Sequence, residues 1–154
     1  MDRLANELAA TCRYVPKFDW ATVGPPTWTP LPKQVSDLRV VFATSGGFYL
    51  RDEQEPFDQD PTHTDASLRL IPVDVDPGRL GISHRFYDRS FAEVDLECMV
   101  PLRTLGQLVG SPAERWVSFM GYLPEWDRIE AELGPAMLEA VRGLGGEAVL
   151  LSPG

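Results

Sequence analysis

Apolar residues in this chain of 154 come in short runs, and four of the runs break into small or polar clusters. Arg39-Val40-Val41-Phe42-Ala43 opens into Thr44-Ser45-Gly46-Gly47, Leu80-Gly81-Ile82 into Ser83-His84, and Trp116-Val117 into Ser118-Phe119-Met120-Gly121. Ala148-Val149-Leu150-Leu151 opens into Ser152-Pro153-Gly154. The first run is β-branched and continuously apolar, the pattern of a strand covered on both faces. Residues 68–72, 80–83 and 115–119 read as further strands. In open α/β sheets ligands lie beyond the carboxyl ends of the strands, so the breaks are where chemistry is expected.

Helical spacing predicts the elements between them. Leu4, Leu8 and Ala9 recur at helical intervals over residues 3–13. Residues 91–108 mix acids with apolar positions around Pro101 and read as two short helices. Residues 124–142 place Trp126, Ile129, Leu133 and Met137 at steps of three and four, a core-facing stripe. Gly134-Pro135 should break or kink that helix, and Gly143, Gly145 and Gly146 fit its carboxyl cap. Residues 15–33 carry five prolines with Trp20 and Trp28 between them, which reads as an extended arm anchored by its aromatic rings. Residues 52–65 are acidic, with Pro56 and Pro61, and read as a solvated loop. The expected fold is α/β, three-layered, with a largely parallel, Rossmann-like or flavodoxin-like sheet whose C-terminal half is missing. Residues 1–34 are expected to form the helix and arm, and 35–154 the α/β domain.

Composition narrows the function. A net charge of −9 argues against unaided binding to nucleic acid or anionic membranes, which takes clustered Lys and Arg. No apolar run approaches the roughly 18–20 residues of a membrane span, and the first 18 residues lack a signal-peptide core, so the expected location is cytoplasmic. Cys12 and Cys98 fit neither a disulfide framework nor a metal knuckle, and no metal site is expected. Cys98, within Leu96-Glu97-Cys98-Met99-Val100, reads as a buried packing thiol.

The chemistry on offer is polar and small. Gly46 and Gly47 after a buried strand make either a tight turn or a cradle whose N–H groups receive a carboxylate or phosphate. Ser83-His84-Arg85-Phe86-Tyr87-Asp88 offers an imidazole, a phenol, a carboxylate and a guanidinium within six residues. Asp88 either orients His84 or caps the next helix. Ser118 brings a hydroxyl, and Gly121 a point of close approach, to the same edge. Met120 reads as packing and His63 as incidental. A hydrolase built on Ser45 or Ser118 lacks a GxSxG elbow.

A family resemblance runs through these residues. Val41-Phe42-Ala43-Thr44-Ser45-Gly46-Gly47-Phe48-Tyr49-Leu50, Pro56-Phe57-Asp58 and Leu68-Arg69-Leu70-Ile71-Pro72 are similar to selenoprotein B subunits of glycine, sarcosine, betaine and D-proline reductases. The similarity continues through Ile82 to Asp88, Asp95, Pro101-Leu102, Leu105, Ser118 to Gly121, Gly134-Pro135-Ala136 and Ala148 to Pro153, covering roughly residues 25–154. Two positions depart from the family's pattern: Glu97 stands in place of an amide and Arg103 in place of an acid. The resemblance implies reductive cleavage of a carbon–nitrogen bond in a small amino-acid-like substrate, within a complex of several subunits. Together with the strand-end pattern, it makes His84, Tyr87 and Asp88 the expected catalytic residues and Ser45, Gly46, Gly47, Ser83, Ser118 and Gly121 the expected substrate-binding ones. His84 is the expected proton donor and the Gly46 and Gly47 amides the expected carboxylate binders. It also implies a selenocysteine or cysteine nucleophile shortly beyond Gly154, and hence a chain read only as far as a UGA codon taken as a stop. The alternative is a non-catalytic subunit that binds small carboxylates or assembles the complex without a redox centre.

Overall fold

The computed structural model describes residues 25, 27–84 and 87–153. The chain divides into two units, Met1–Pro30 and Leu31–Gly154. The helix expected over 3–13, Trp20, Arg85 and Phe86 lie outside the described residues.

In the second unit the central strand is β1, Arg39–Thr44. Val41 and Ala43 enter a first core, with Val117 and Val141, while Val40 and Phe42 enter a second, with Trp116 and Ile71. Successive side chains of a strand point to opposite faces, so an all-apolar strand fills both cores at once. The remaining strands are β2 Phe48–Leu50, β3 Arg69–Pro72, β4 Leu80–Ile82, β5 Ser111–Pro112, β6 Arg115–Ser118 and β7 Ala148–Ser152. β7 runs parallel to β1 along one edge, and β6 and the short β5 run parallel to it along the other. β3 closes the β6 side in antiparallel register, Arg69 opposite Ser118.

Among the described residues the helices are α1 Ser90–Val94, α2 Leu102–Leu108, α3 Trp126–Arg128 and α4 Gly134–Gly143. α3 and α4 are joined by a π-helical turn, Ile129–Leu133, immediately before Pro135. The wider turn accommodates the N–H that Pro135 lacks, so the expected break becomes a local unwinding. At the other end, Gly145 donates to the Arg142 carbonyl and Gly146 to that of Val141, each at 2.9 Å. With Gly145 at φ +68, this is the predicted glycine cap, which turns the chain into β7.

The result is a three-layer α/β arrangement: α4 on one face, the mostly parallel sheet, and the second core on the other face. β4 departs from expectation. It pairs antiparallel with β2 in a separate two-stranded ribbon over the second core, Phe48 opposite Ile82, rather than extending the main sheet. No helix among the described residues is long and apolar enough to cross a membrane.

Candidate functional site

The four breaks in the apolar pattern meet at the end of β1. Thr44 closes that strand fully buried, and its Oγ1 accepts the Gly46 N–H at 3.2 Å, folding the chain across the strand end. Gly46 then bridges Met120 in antiparallel fashion, and the Gly47 N–H donates to the Phe119 carbonyl at 3.0 Å. The Gly47 carbonyl accepts the Ser83 N–H at 2.9 Å, and the Ser45 N–H donates to the Ser152 carbonyl at 3.3 Å. Only glycine suits position 47: its φ is +68, and a Cβ there would sit 3.2 Å from the backbone nitrogen of His84.

This bonding corrects the expected anion cradle. The Gly46 and Gly47 amides are both engaged inside the protein, so neither N–H is free to receive a carboxylate. Ser83 and Ser118 are likewise fully buried splints. The Ser83 hydroxyl oxygen accepts the Phe57 N–H at 3.0 Å, and that of Ser118 accepts the Phe48 N–H at 2.8 Å. Ser118→Ala would strand a buried amide, and a loss of about 1–3 kcal/mol is expected in chemical denaturation. A loss below about 0.5 kcal/mol would mean that the amide finds another acceptor.

His84 follows the splint and is 7% exposed. Its ring packs on that of Tyr87 with centroids 4.7 Å apart, and the Tyr87 hydroxyl donates to the Gly46 carbonyl at 2.8 Å. Burial pushes the Tyr87 phenol up to about 12, so it remains a hydrogen-bond donor near neutral pH. Gly121, which is exposed, lets its main chain pass close beside the imidazole: a Cβ there would lie 3.1 Å from His84 Nε2 and 2.8 Å from the Ser45 carbonyl oxygen. Asp88 is exposed and its carboxylate accepts the Ser90 N–H at 2.9 Å, which lowers its pKa. That bond ties Asp88 to the first residue of α1.

Burial lowers the His84 pKa below its ordinary 6.5. The unfolded chain then binds more protons than the folded one as pH falls, so stability is fully present above about pH 6.5 and declines below it. The denaturant midpoint should fall between about pH 7.5 and 5.5, and fall less in His84→Gln. An equal fall in both proteins would exclude His84 as the cause.

A second set of contacts, invisible in the sequence, pins the acidic loop beside this edge. Thr64, fully buried, donates its N–H to the Glu125 carboxylate at 2.7 Å, while its Oγ1 accepts the Glu125 N–H at 2.8 Å. The backbone N–H of Thr64 holds Glu125 below the usual carboxylate range. Arg128 adds a bond to the Thr64 carbonyl and another to His63, so His63 belongs to this latch. Phe57 is buried beneath the guanidinium of Arg69, 4.2 Å above its ring.

Cys98 is exposed, against expectation. It ends a 3-10 turn, Leu96–Cys98, and Val100 two residues on is the side chain that enters the core. Glu97 and Arg103 meet here: Glu97 accepts the Arg103 N–H at 2.8 Å and pairs with its guanidinium at 3.7 Å. Among the described residues no group of three or more His, Cys, Asp or Glu is placed to hold a metal ion.

The chain is similar to a D-proline reductase subunit. The relative is D-proline reductase subunit gamma of Acetoanaerobium sticklandii, 30% identical over 135 residues, which are 84% of this chain. The chain spans about half, 54%, of that relative's length. At this identity the similarity shows a distant relationship to the reductase family. No family model matches the chain, and no solved structure matches it significantly.

Proposed function

We propose that this chain forms the substrate-binding edge of a reductase of the selenoprotein B type, one that cleaves a carbon–nitrogen bond in a small amino-acid-like substrate. The observation that carries the reading is a buried imidazole where four strand ends meet, in a chain related to a reductase subunit. Cleavage takes two electrons and two protons: the C–N bond breaks while a C–H and an N–H bond form. The electrons come from a selenol or thiol acting with a second thiol, which finish joined to each other. On this reading that selenocysteine or cysteine lies outside the described residues and acts within a complex of several subunits.

The chain's own residues bind and protonate. At rest His84 is neutral, because burial disfavours its charged form. A substrate carboxylate arriving beside Gly121 raises the pKa again, so the proton becomes available when there is a leaving nitrogen to receive it. Tyr87 holds the Gly46 carbonyl and backs the imidazole.

The test is turnover of the protein with the subunits it co-purifies with. Glycine, sarcosine, betaine and D-proline are supplied with a dithiol, and the cleaved products are read by mass spectrometry. Two-electron cleavage of at least one substrate is expected. Saturable binding without cleavage under any thiol donor would favour the alternative, a carboxylate-binding or assembly subunit without a redox centre.

A further inference from the structure

A cleft separate from the strand-end site runs between the β2–β4 ribbon and the α1–α2 segment. Its volume is about 1110 Å³, at the upper end of small-molecule sites. None of the residues assigned to the strand-end site lines it. Its floor is apolar, formed by Phe48, Leu80, Ile82, Leu96 and Val100, all part of or packed on the second core.

Three arginines line its wall: Arg103 is paired with Glu97, and β4 fixes the other two. Arg51 Nε donates to the Leu80 carbonyl at 2.9 Å, and Arg89 Nη1 donates to the Ile82 carbonyl at 3.0 Å. Those carbonyls are two residues apart on one strand, so the anchors lie roughly 7 Å apart. Each guanidinium keeps further N–H groups, and among the described residues neither forms an ion pair. Most of the acids on the same wall are already engaged. Asp95 accepts the Glu97 N–H, and Glu97 accepts the N–H groups of Arg103 and Thr104. Glu93 is the exception. In a chain of net charge −9, two anchored cations beside an apolar floor select for an anion with an apolar body.

We infer that this cleft is a binding site for an apolar monocarboxylate, its carboxylate held by Arg51 and Arg89 and its body laid over Phe48, Leu96 and Val100. The inference stands apart from the reductase reading, since it uses none of the same residues.

The probe is octanoate, titrated into the 154-residue chain by calorimetry and by amide chemical shifts, with octylammonium as the charge-reversed control. Saturable 1:1 binding at a Kd of about 1 mM or tighter is expected, with octylammonium at least about tenfold weaker. Arg51→Gln and Arg89→Gln should each weaken octanoate about tenfold, Arg89→Lys much less, and Glu93→Gln should tighten it. In the unmodified protein the shifts should centre on Phe48, Leu80, Ile82 and Leu96, a reading that needs no variant to fold. Equal binding of the two ions, no saturation, or shifts centred on His84 or β7 would overturn the inference.

Discussion

Replacing Trp116 by Ala is expected to lower the free energy of unfolding by about 3–5 kcal/mol, the largest stability effect foreseen in this chain. Trp116 is fully buried in β6, and its ring touches two others, Phe42 at 6.1 Å and Phe48 at 5.7 Å between centroids. Phe48 in turn lies where a Cβ on Gly46 would be, 2.5 Å from its Cε2, so the indole supports the turn that follows β1. The loss therefore reaches the functional edge, and the Ala variant should also disturb the His84 and Gly47 amide signals. The indole N–H supplies an internal control, because it is buried with no hydrogen-bond partner. Trp116→Phe removes that orphan donor together with some volume, so its cost should be about 1.5 kcal/mol or less. A loss as large as that of the Ala variant would mean that the indole N–H is paired.

His84→Ala is expected to lower turnover of the assembled reductase about a hundredfold or more, the range that general acid–base catalysis contributes. The ring is a titratable group at the meeting of the strand ends, and Gly121, with no side chain, passes close beside its Nε2. Its lowered pKa gives the effect a signature. With His84 as the proton donor, the pH profile of kcat/KM should rise toward acid, and the variant should lose that limb. A variant that keeps both the rate and the profile would remove His84 from the chemistry and leave it as a packing residue against Tyr87.

What could be read from the sequence follows from how local each cause is. β1 was legible because four consecutive apolar positions are buried in two cores, so no periodic pattern had to be resolved. The glycine cap after α4 was legible because its hydrogen bonds lie within the same six residues. β2 was not. Three residues carry too little pattern, and its partner β4 comes about thirty positions later. β4 was recognised as a strand, yet its placement in the ribbon depends on the turn at Gly47, which only the tertiary contacts with Phe119 and Ser83 explain. The glycines at 46 and 47 pointed correctly to an unusual backbone. Where their N–H groups go depends on Thr44 and Phe119, so the cradle was misread. Cys98 was misread because apolar neighbours suggested burial, while a 3-10 turn hands that burial to Val100. The Thr64–Glu125 latch joins residues 61 apart and leaves no trace in either segment alone.

The central claim is that small amino-acid-like substrates bind where the four strand ends meet. The most direct measurement is an amide chemical-shift titration of the 154-residue chain with glycine, sarcosine, betaine and D-proline in turn. The account predicts saturable shifts from at least one of them, concentrated at Ser45, Gly47, His84 and Gly121 and lost in His84→Ala. Shifts from none of the four in a well-folded sample, or shifts confined to the Arg51–Arg89 cleft, would contradict it.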